Sequence, residues 1–384
     1  MMILKFFLAY LFKLAKLNKK VIIFNSTVNQ FYNFNSKPLF EYYLSNYSDK
    51  YICKFIVDNP VLRKQLQERL GDHFITSTKF SDIIYILKAK TWITSTIDAP
   101  IISLAINKQR FVYHLGHGVP LKKIILAEDC SFLRKLNRYI RTRAFTHVLC
   151  YSDAFSPVMK NAFRNDRIQY IPLGQPRNDQ LIQAVNKAEI FARIREKIPE
   201  LPVHQRAILY APTWRDGEPV KFFPFEDLTP GELNQYLQES NTVLFLRKHP
   251  YYGCDINEDY LNQSHIFWFN SDKFNDVMEY LSYFDKLITD YSSIYLDYIC
   301  LDRTIGFIPY DLDLYEEKVG FSYDYNQLFC GKKLLTKSEF LSFLTSDIDE
   351  GKIERHSVIH LINAKCVGNC QENIVFIEKV INES

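Results

Sequence analysis

Short runs of β-branched and aromatic residues recur along this chain, and stretches with helical periodicity separate them. This alternation limits the fold more than any other feature. Residues 21–26, 51–58, 73–77, 92–96, 110–115, 147–152 and 168–173 read as strands. Residues 38–45, 60–70 and 79–88 read as helices between them. Parallel neighbours need a crossover, usually a helix, so the pattern predicts a parallel sheet covered on both faces. Residues 179–206 read as a helical connector closed by Pro199 and Pro202. A second series follows, with strands at 207–213, 242–248, 266–269, 286–290 and 304–308. The expectation is an α/β chain of two doubly wound domains, 21–190 and 205–384, with an interdomain cleft. Strand C-terminal ends should face the ligand crevice.

A chain of 384 residues can fill two such domains. With 47% hydrophobic and 24% charged residues, the composition argues against a disordered or collagen-like protein. No apolar run is long enough to span a membrane. Of the eight cysteines, none forms a C-x-x-C pair, and Cys366 and Cys370 lack partners at zinc-ligand spacing. They read as thiols in a reducing cytoplasm. No G-x-G-x-x-G, P-loop, H-E-x-x-H or EF-hand pattern occurs, so no cofactor and no motif of metal ligands is expected, which does not settle metal dependence. The aromatic residues are not interleaved with basic ones along a groove, which argues against a nucleic-acid partner.

The net charge of +3 hides a segregation. Residues 1–20 hold five lysines and no acid, and residues 131–143 hold five basic residues and no acid. On a helix over 1–20, Lys5, Ala9, Lys13, Lys16 and Lys20 fall within roughly 80°. Phe7, Leu8, Leu11 and Leu14 lie largely outside that arc. Such a helix either lies in a membrane interface with its lysines toward anionic headgroups, or docks on the protein itself.

The strand ends carry the chemistry. Thr289-Asp290-Tyr291-Ser292-Ser293 follows a strand and opens a helix. Ser292 or Ser293 can cap that helix, and its free N–H groups then suit a phosphate; plain capping is the alternative. Arg247-Lys248-His249-Pro250 ends another strand. Arg247 can grip a phosphate, and His249 can donate to a leaving pyrophosphate oxygen; a solvated loop is the alternative. Gly116-His117-Gly118 ends a strand of the first domain. Glycines allow close approach of a substrate, and a histidine there can act as a general base. His114, inside the strand, reads as a packed residue. Thr213-Trp214-Arg215-Asp216 and the turn at 174–179 end further strands.

Together these motifs resemble the CDP-glycerol glycerophosphotransferases, the teichoic-acid primase and polymerase family. The matching residues are KVIIFNS at 20–26, Asn35-Ser36-Lys37, HGVPLKK from His117, GQPRND from Gly174, YAPTWRD from Tyr210, RKHP from Arg247, TDYSSIYLDY from Thr289 and YDLDLYEEKVGFSYDY from Tyr310. The resemblance implies a GT-B-like fold of two Rossmann-type domains. It implies transfer of glycerol phosphate, or a related polyol phosphate, from a CDP-activated donor to a hydroxyl of a lipid-linked or glycan acceptor. The product would be a teichoic-acid-like or capsule polymer. The first domain would bind the acceptor and the second the CDP donor. His117 would be the base, His249 and Asp216 further catalytic residues. Gly118, Thr213, Arg215, Arg247, Asp290, Ser292 and Ser293 would bind substrate. Gly116, Val119 and Gln175 depart from the family's usual W-H-G-T-P and G-Y-P, on the acceptor side.

A lipid-linked acceptor gives the second basic stretch a use. Arg134, Arg138 and Arg141 share one helical face, with Leu133, Leu136 and Ile140 on another. Lys13, Lys16, Arg134, Arg138 and Arg141 are therefore expected to touch an anionic membrane, at its cytoplasmic face, without spanning it. A solvated surface helix is the alternative. Two rival functions share the same strand-end features: a nucleotide-sugar glycosyltransferase or epimerase of GT-B fold, and a non-catalytic binding subunit.

Overall fold

The computed structural model describes residues 2–103, 105–182, 186–215, 217–248, 253–363 and 365–383. They form two compact units. Unit 1 comprises 1–119, 124–180 and 361–384, and unit 2 comprises 120–123 and 181–360.

Unit 1 holds β1 (Asn18–Asn25), β2 (Ile52–Ile56), β3 (Phe74–Ile75), β4 (Ala89–Thr94), β5 (Phe111–His114), β6 (His147–Leu149) and β7 (Gln169–Ile171). All pair in parallel, in the order β3-β2-β1-β4-β5-β6-β7. Ile22, Ile23, Phe24, Val112 and Val148 are fully buried, as strands covered on both faces require. The helix Pro60–Leu70 shows how local sequence fixes a crossover. Asn59 accepts from the N–H groups of Val61 and Leu62, Pro60 opens the first turn, and Gly71 takes a φ of 84° past the end.

Unit 2 holds β8 (Arg206–Tyr210), β9 (Val220–Lys221), β10 (Thr242–Leu246), β11 (Cys254–Asp255), β12 (Ile266–Trp268), β13 (Lys286–Thr289), β14 (Ile305–Phe307) and β15 (Lys332–Lys333). Its main sheet is parallel, in the order β12-β10-β8-β13-β14-β15, and β9 pairs with β11. In both units the strand order reverses beside the first strand, between β1 and β4 and between β8 and β13. Ligand crevices open beyond the C-terminal ends of strands at such points.

The expected α/β architecture of two parallel-sheet domains is the one observed. Most strands are shorter than expected, while β1 and β4 begin earlier and are longer, and the two-residue strands β9, β11 and β15 carry too little pattern to be read. The expected boundary of 205–384 also differs. Residues 361–383 pack in unit 1, where the helix Asn369–Glu383 buries Ile374, Ile377 and Ile381. Asp179 holds its first turn by accepting from the N–H groups of Asn369 (3.0 Å) and Cys370 (2.8 Å). Tyr113 donates to Asn373 (2.9 Å), tying the helix to β5. The connector 181–204 packs in unit 2.

Candidate active site

In unit 1, β5 runs into the turn that carries His117. Gly116 has φ +69°, and a Cβ there would lie 1.9 Å from the Tyr151 phenol oxygen. Gly118 has φ +141°, and a Cβ there would lie 2.5 Å from Arg177 Nη2. No other residue fits either position without moving a neighbour. Asn35, buried, donates from Nδ2 to the carbonyls of Leu115 (3.1 Å) and Gly116 (3.0 Å). Its Oδ1 accepts from the Arg177 N–H (3.1 Å), and Arg177 Nη1 donates to the His117 carbonyl. The motifs at 35–37, 115–118 and 174–179 thus form one network around a single turn.

The His117 ring is exposed and lies 5.2 Å from the Phe34 ring, centroid to centroid. Desolvation and the Arg177 guanidinium lower its pKa, and a hydrogen bond to the Ser95 backbone opposes them. Because solvent reaches the ring, desolvation is limited, and the direction rests on the Arg177 charge. A neutral ring with its N–H toward the Ser95 backbone keeps a lone pair on the other nitrogen. The Ser36 N–H in turn donates to Ser95 Oγ (2.7 Å). The arrangement suits a neutral imidazole that accepts a proton. His114 is buried between Phe145 and Phe163, and burial lowers its pKa to about 3. It is the packed residue expected.

In unit 2, Asp290 follows β13 and is fully buried. It accepts from the Thr213 N–H (2.8 Å), the Tyr291 N–H (2.5 Å) and Arg215 Nη2 (2.9 Å). Arg215 also donates to Asp311 from Nε (2.7 Å) and Nη2 (2.9 Å), and to the Thr213 carbonyl from Nη1 (2.7 Å). The rings of Tyr291, Tyr310 and Tyr315 lie 5.0–5.1 Å from its guanidinium. Burial opposes the Arg215 charge, but the two carboxylates more than offset this and hold it charged. Expected to grip a substrate, Arg215 and Asp290 are instead spent on each other and on Asp311. They shape the ends of β8 and β13.

Residues 120–123, directly after the His117 turn, pack in unit 2. Lys122 donates from Nζ to Thr213 Oγ1 (2.7 Å), with Nζ 4.8 Å from the Trp214 ring centroid. The segment is held by the Ser322 N–H to the Leu121 carbonyl (2.8 Å) and the Lys123 N–H to the Gly320 carbonyl (3.3 Å). Burial lowers the Lys122 pKa to about 8; Arg215 adds to this and Asp290 opposes it.

Ser292 and Ser293 do not form the expected cap. The helix Ile294–Tyr298 begins without a side-chain cap bond, because Ser293 already has helical dihedrals. Both serines are half-buried. Among the described residues neither hydroxyl has a protein partner. Arg247, half-buried, donates from Nη1 to the carbonyls of Phe269 (2.8 Å) and Phe274 (3.1 Å). Burial lowers its pKa to about 10. His249 and Asp216 lie outside the described residues. Among the described residues, no three His, Cys, Asp or Glu side chains gather as a metal site.

Both basic helices differ from expectation. The first runs Met2–Leu11, followed by a 3-10 turn Phe12–Leu14, so Lys16 and Lys20 are not on it. Lys5 turns inward to donate to Ser77 Oγ (2.8 Å), and Leu8 and Ala9 are buried. Lys13 and Lys16 are exposed as expected, but so are Ile3, Phe6, Phe7, Tyr10, Leu11 and Leu14. On the helix Phe132–Thr142, Arg138 pairs with Glu128 (2.8 Å), Arg141 pairs with Asp98, and Arg134 reaches Glu128 at 3.9 Å. Phe132, Leu133, Leu136 and Tyr139 face solvent. The inward pull of Glu128 and Asp98 explains the inversion. No described helix is long and apolar enough to cross a membrane.

Sequence reasoning assigned no site role to Lys122, Asn35, Arg177 or Asp311, although each stood inside a motif. Spacing does not reveal partners that lie far along the chain.

The sequence profile described as CDP-glycerol:poly(glycerophosphate) glycerophosphotransferase matches residues 6–375. The teichoic acid poly(glycerol phosphate) polymerase of Bacillus spizizenii is 29% identical over 341 residues, covering 84% of this chain and 82% of that protein. The teichoic acid glycerol-phosphate transferase of Staphylococcus aureus is 26% identical over 356 residues, covering 88% and 86%. The structure of the wall teichoic acid polymerase TagF superposes with a TM-score of 0.74 at 23% identity, covering 99% of this chain and 94% of that one. The UDP-GlcNAc 2-epimerase of Neisseria meningitidis, at 10% identity, superposes with a TM-score of 0.56. The fold is the GT-B-like one expected.

Proposed function

The chain belongs to the CDP-glycerol:poly(glycerophosphate) glycerophosphotransferase family, a transferase of glycerol phosphate from CDP-glycerol in teichoic-acid synthesis, and we propose how its residues divide that reaction. His117 takes the proton of the acceptor hydroxyl on the ring nitrogen not used by Ser95. The resulting oxygen attacks the phosphorus that bears glycerol. The bond from that phosphorus to the CMP oxygen breaks, and CMP departs with the electron pair. Unit 2 holds the donor phosphates through the Ser292 and Ser293 hydroxyls, Lys122 and Arg247. His249 donates to the departing phosphate. Arg215, Asp290 and Asp311 keep Thr213 and Lys122 in place. Fixed cations and hydroxyls aimed at the phosphates stabilise the charge that develops on CMP.

The observation that carries this reading is the network of Asn35, Ser95 and Arg177 around the His117 turn. It holds the turn that presents one imidazole, and the Arg177 charge favours the neutral ring, the form that accepts a proton. The test is CMP release from CDP-glycerol with a glycerol-phosphate acceptor, set against UDP release from UDP-sugars; CMP release alone supports the reading.

Lys122 supplies a pH signature. Its ammonium is charged below about 8 and neutral above. The KM for CDP-glycerol should therefore rise as pH increases through 8. In Lys122→Met it should be raised at least roughly tenfold at neutral pH and lose that dependence. A pH-independent donor KM in the native enzyme would exclude Lys122 from phosphate binding.

The acceptor is lipid-linked, and the enzyme meets the cytoplasmic face of the membrane as a peripheral protein. The support is the exposed apolar surface of Met2–Leu11 and Phe132–Thr142, with Lys13 and Lys16 nearby for anionic headgroups. Phe6→Ser, Phe7→Ser and Leu11→Ser together should reduce partition onto anionic vesicles at least roughly tenfold, with CMP release to a soluble acceptor unchanged. Equal sedimentation of variant and native protein with the vesicles would remove this surface from the account.

A further inference from the structure

The starts of β5, β6 and β7 lie at the edge of the unit 1 sheet opposite the His117 turn, since the strands are parallel. A groove of about 840 Å³ opens there. Lys108, Arg110, Arg143, Arg164 and Arg167 line it, and Asp166 is the one acid among the lining residues. Among the described residues, Lys108, Arg143, Arg164 and Arg167 form no ion pair, unlike Arg138 and Arg141 on the neighbouring helix. Arg110 is only 3% exposed. Its terminal nitrogens donate to the carbonyls of Ile86, Leu87 and Ala89, and its guanidinium lies 3.9 Å from the Trp92 ring centroid. Its Nε is buried without a hydrogen-bond partner.

A concave surface with five cations and one acid concentrates positive potential. A flat bilayer cannot follow the concavity down to Arg110. The apolar side chains suited to a bilayer, Phe132 and Leu133, are not among the lining residues. A flexible chain with one negative phosphate per unit can enter and meet the cations of the wall. We propose that this groove binds the phosphodiester chain of the acceptor polymer, remote from the reacting hydroxyl. The proposal rests on the transfer reaction above. Tethering the polymer raises the effective concentration of its end, so longer acceptors have lower KM.

The test is binding of a long synthetic glycerol-phosphate oligomer to the full chain without CDP-glycerol, by fluorescence anisotropy. Arg164→Glu with Arg167→Glu should weaken binding roughly tenfold and reduce its salt dependence. Lys108→Glu with Arg143→Glu should do the same, which guards against local misfolding of either pair. CMP release to a single-unit acceptor should be unchanged in both. Oligomer binding equal in native and variant proteins, or absent from the native protein, overturns the proposal. So does a loss confined to phosphatidylglycerol vesicles, which would assign the groove to lipid. If the native protein releases no CMP but the oligomer result holds, the transfer reading fails and the groove stands as a phosphodiester site.

Discussion

Replacing His117 by alanine is expected to lower kcat by roughly a hundredfold to ten-thousandfold, the range general-base catalysis supplies, with little change in the KM for CDP-glycerol. The side chain is exposed and its backbone is held by Asn35 and Arg177, so truncation removes the proton acceptor without disturbing the turn. The pH dependence follows from the lowered pKa. The base form persists below the ordinary histidine range, so activity should hold to lower pH than a free imidazole permits. Arg177→Gln removes the cation, raises the His117 pKa and moves the acid limb of kcat upward. An acid limb unmoved by that change would separate His117 from the pH-dependent step.

The second large effect is on stability. Arg215→Met leaves Asp290, 1% exposed, facing two N–H groups and without its hydrogen-bonded cation. Breaking a buried pair in this way costs about 3–5 kcal/mol. In a unit of this size the melting transition should fall by roughly 10 °C. Donor use should decline with it, because Thr213 loses the contact that fixes its carbonyl. A transition within two or so degrees of the native value, followed by circular dichroism, would show that the pair is not structural.

The sheets were legible because strands buried on both faces are continuous apolar runs, as 21–24 and 243–246 are. The strand ends were legible as chemistry because histidine, arginine and serine follow those runs directly. What the sequence hid was nonlocal. Periodicity divides a helix into two faces but does not say which one turns inward. For Phe132–Thr142 the answer came from Glu128 and Asp98, which draw Arg138 and Arg141 toward the protein. Arg215 looked open to a substrate because its partner Asp311 lies 96 residues away. The helix Asn369–Glu383 is amphipathic on any sheet, and distant partners such as Asp179 and Tyr113 assign it to unit 1. The serines at 292–293 failed as caps because the chain is already helical at Ser293, which leaves their hydroxyls for a ligand.

The central claim is that proton removal and donor binding belong to different residues. Titration of CDP-glycerol into the native protein and His117→Ala, paired with single-turnover CMP release, tests it most directly. The account predicts the same Kd for both proteins and release only from the native one. Loss of CDP-glycerol binding in His117→Ala, or equal release from both, would contradict it.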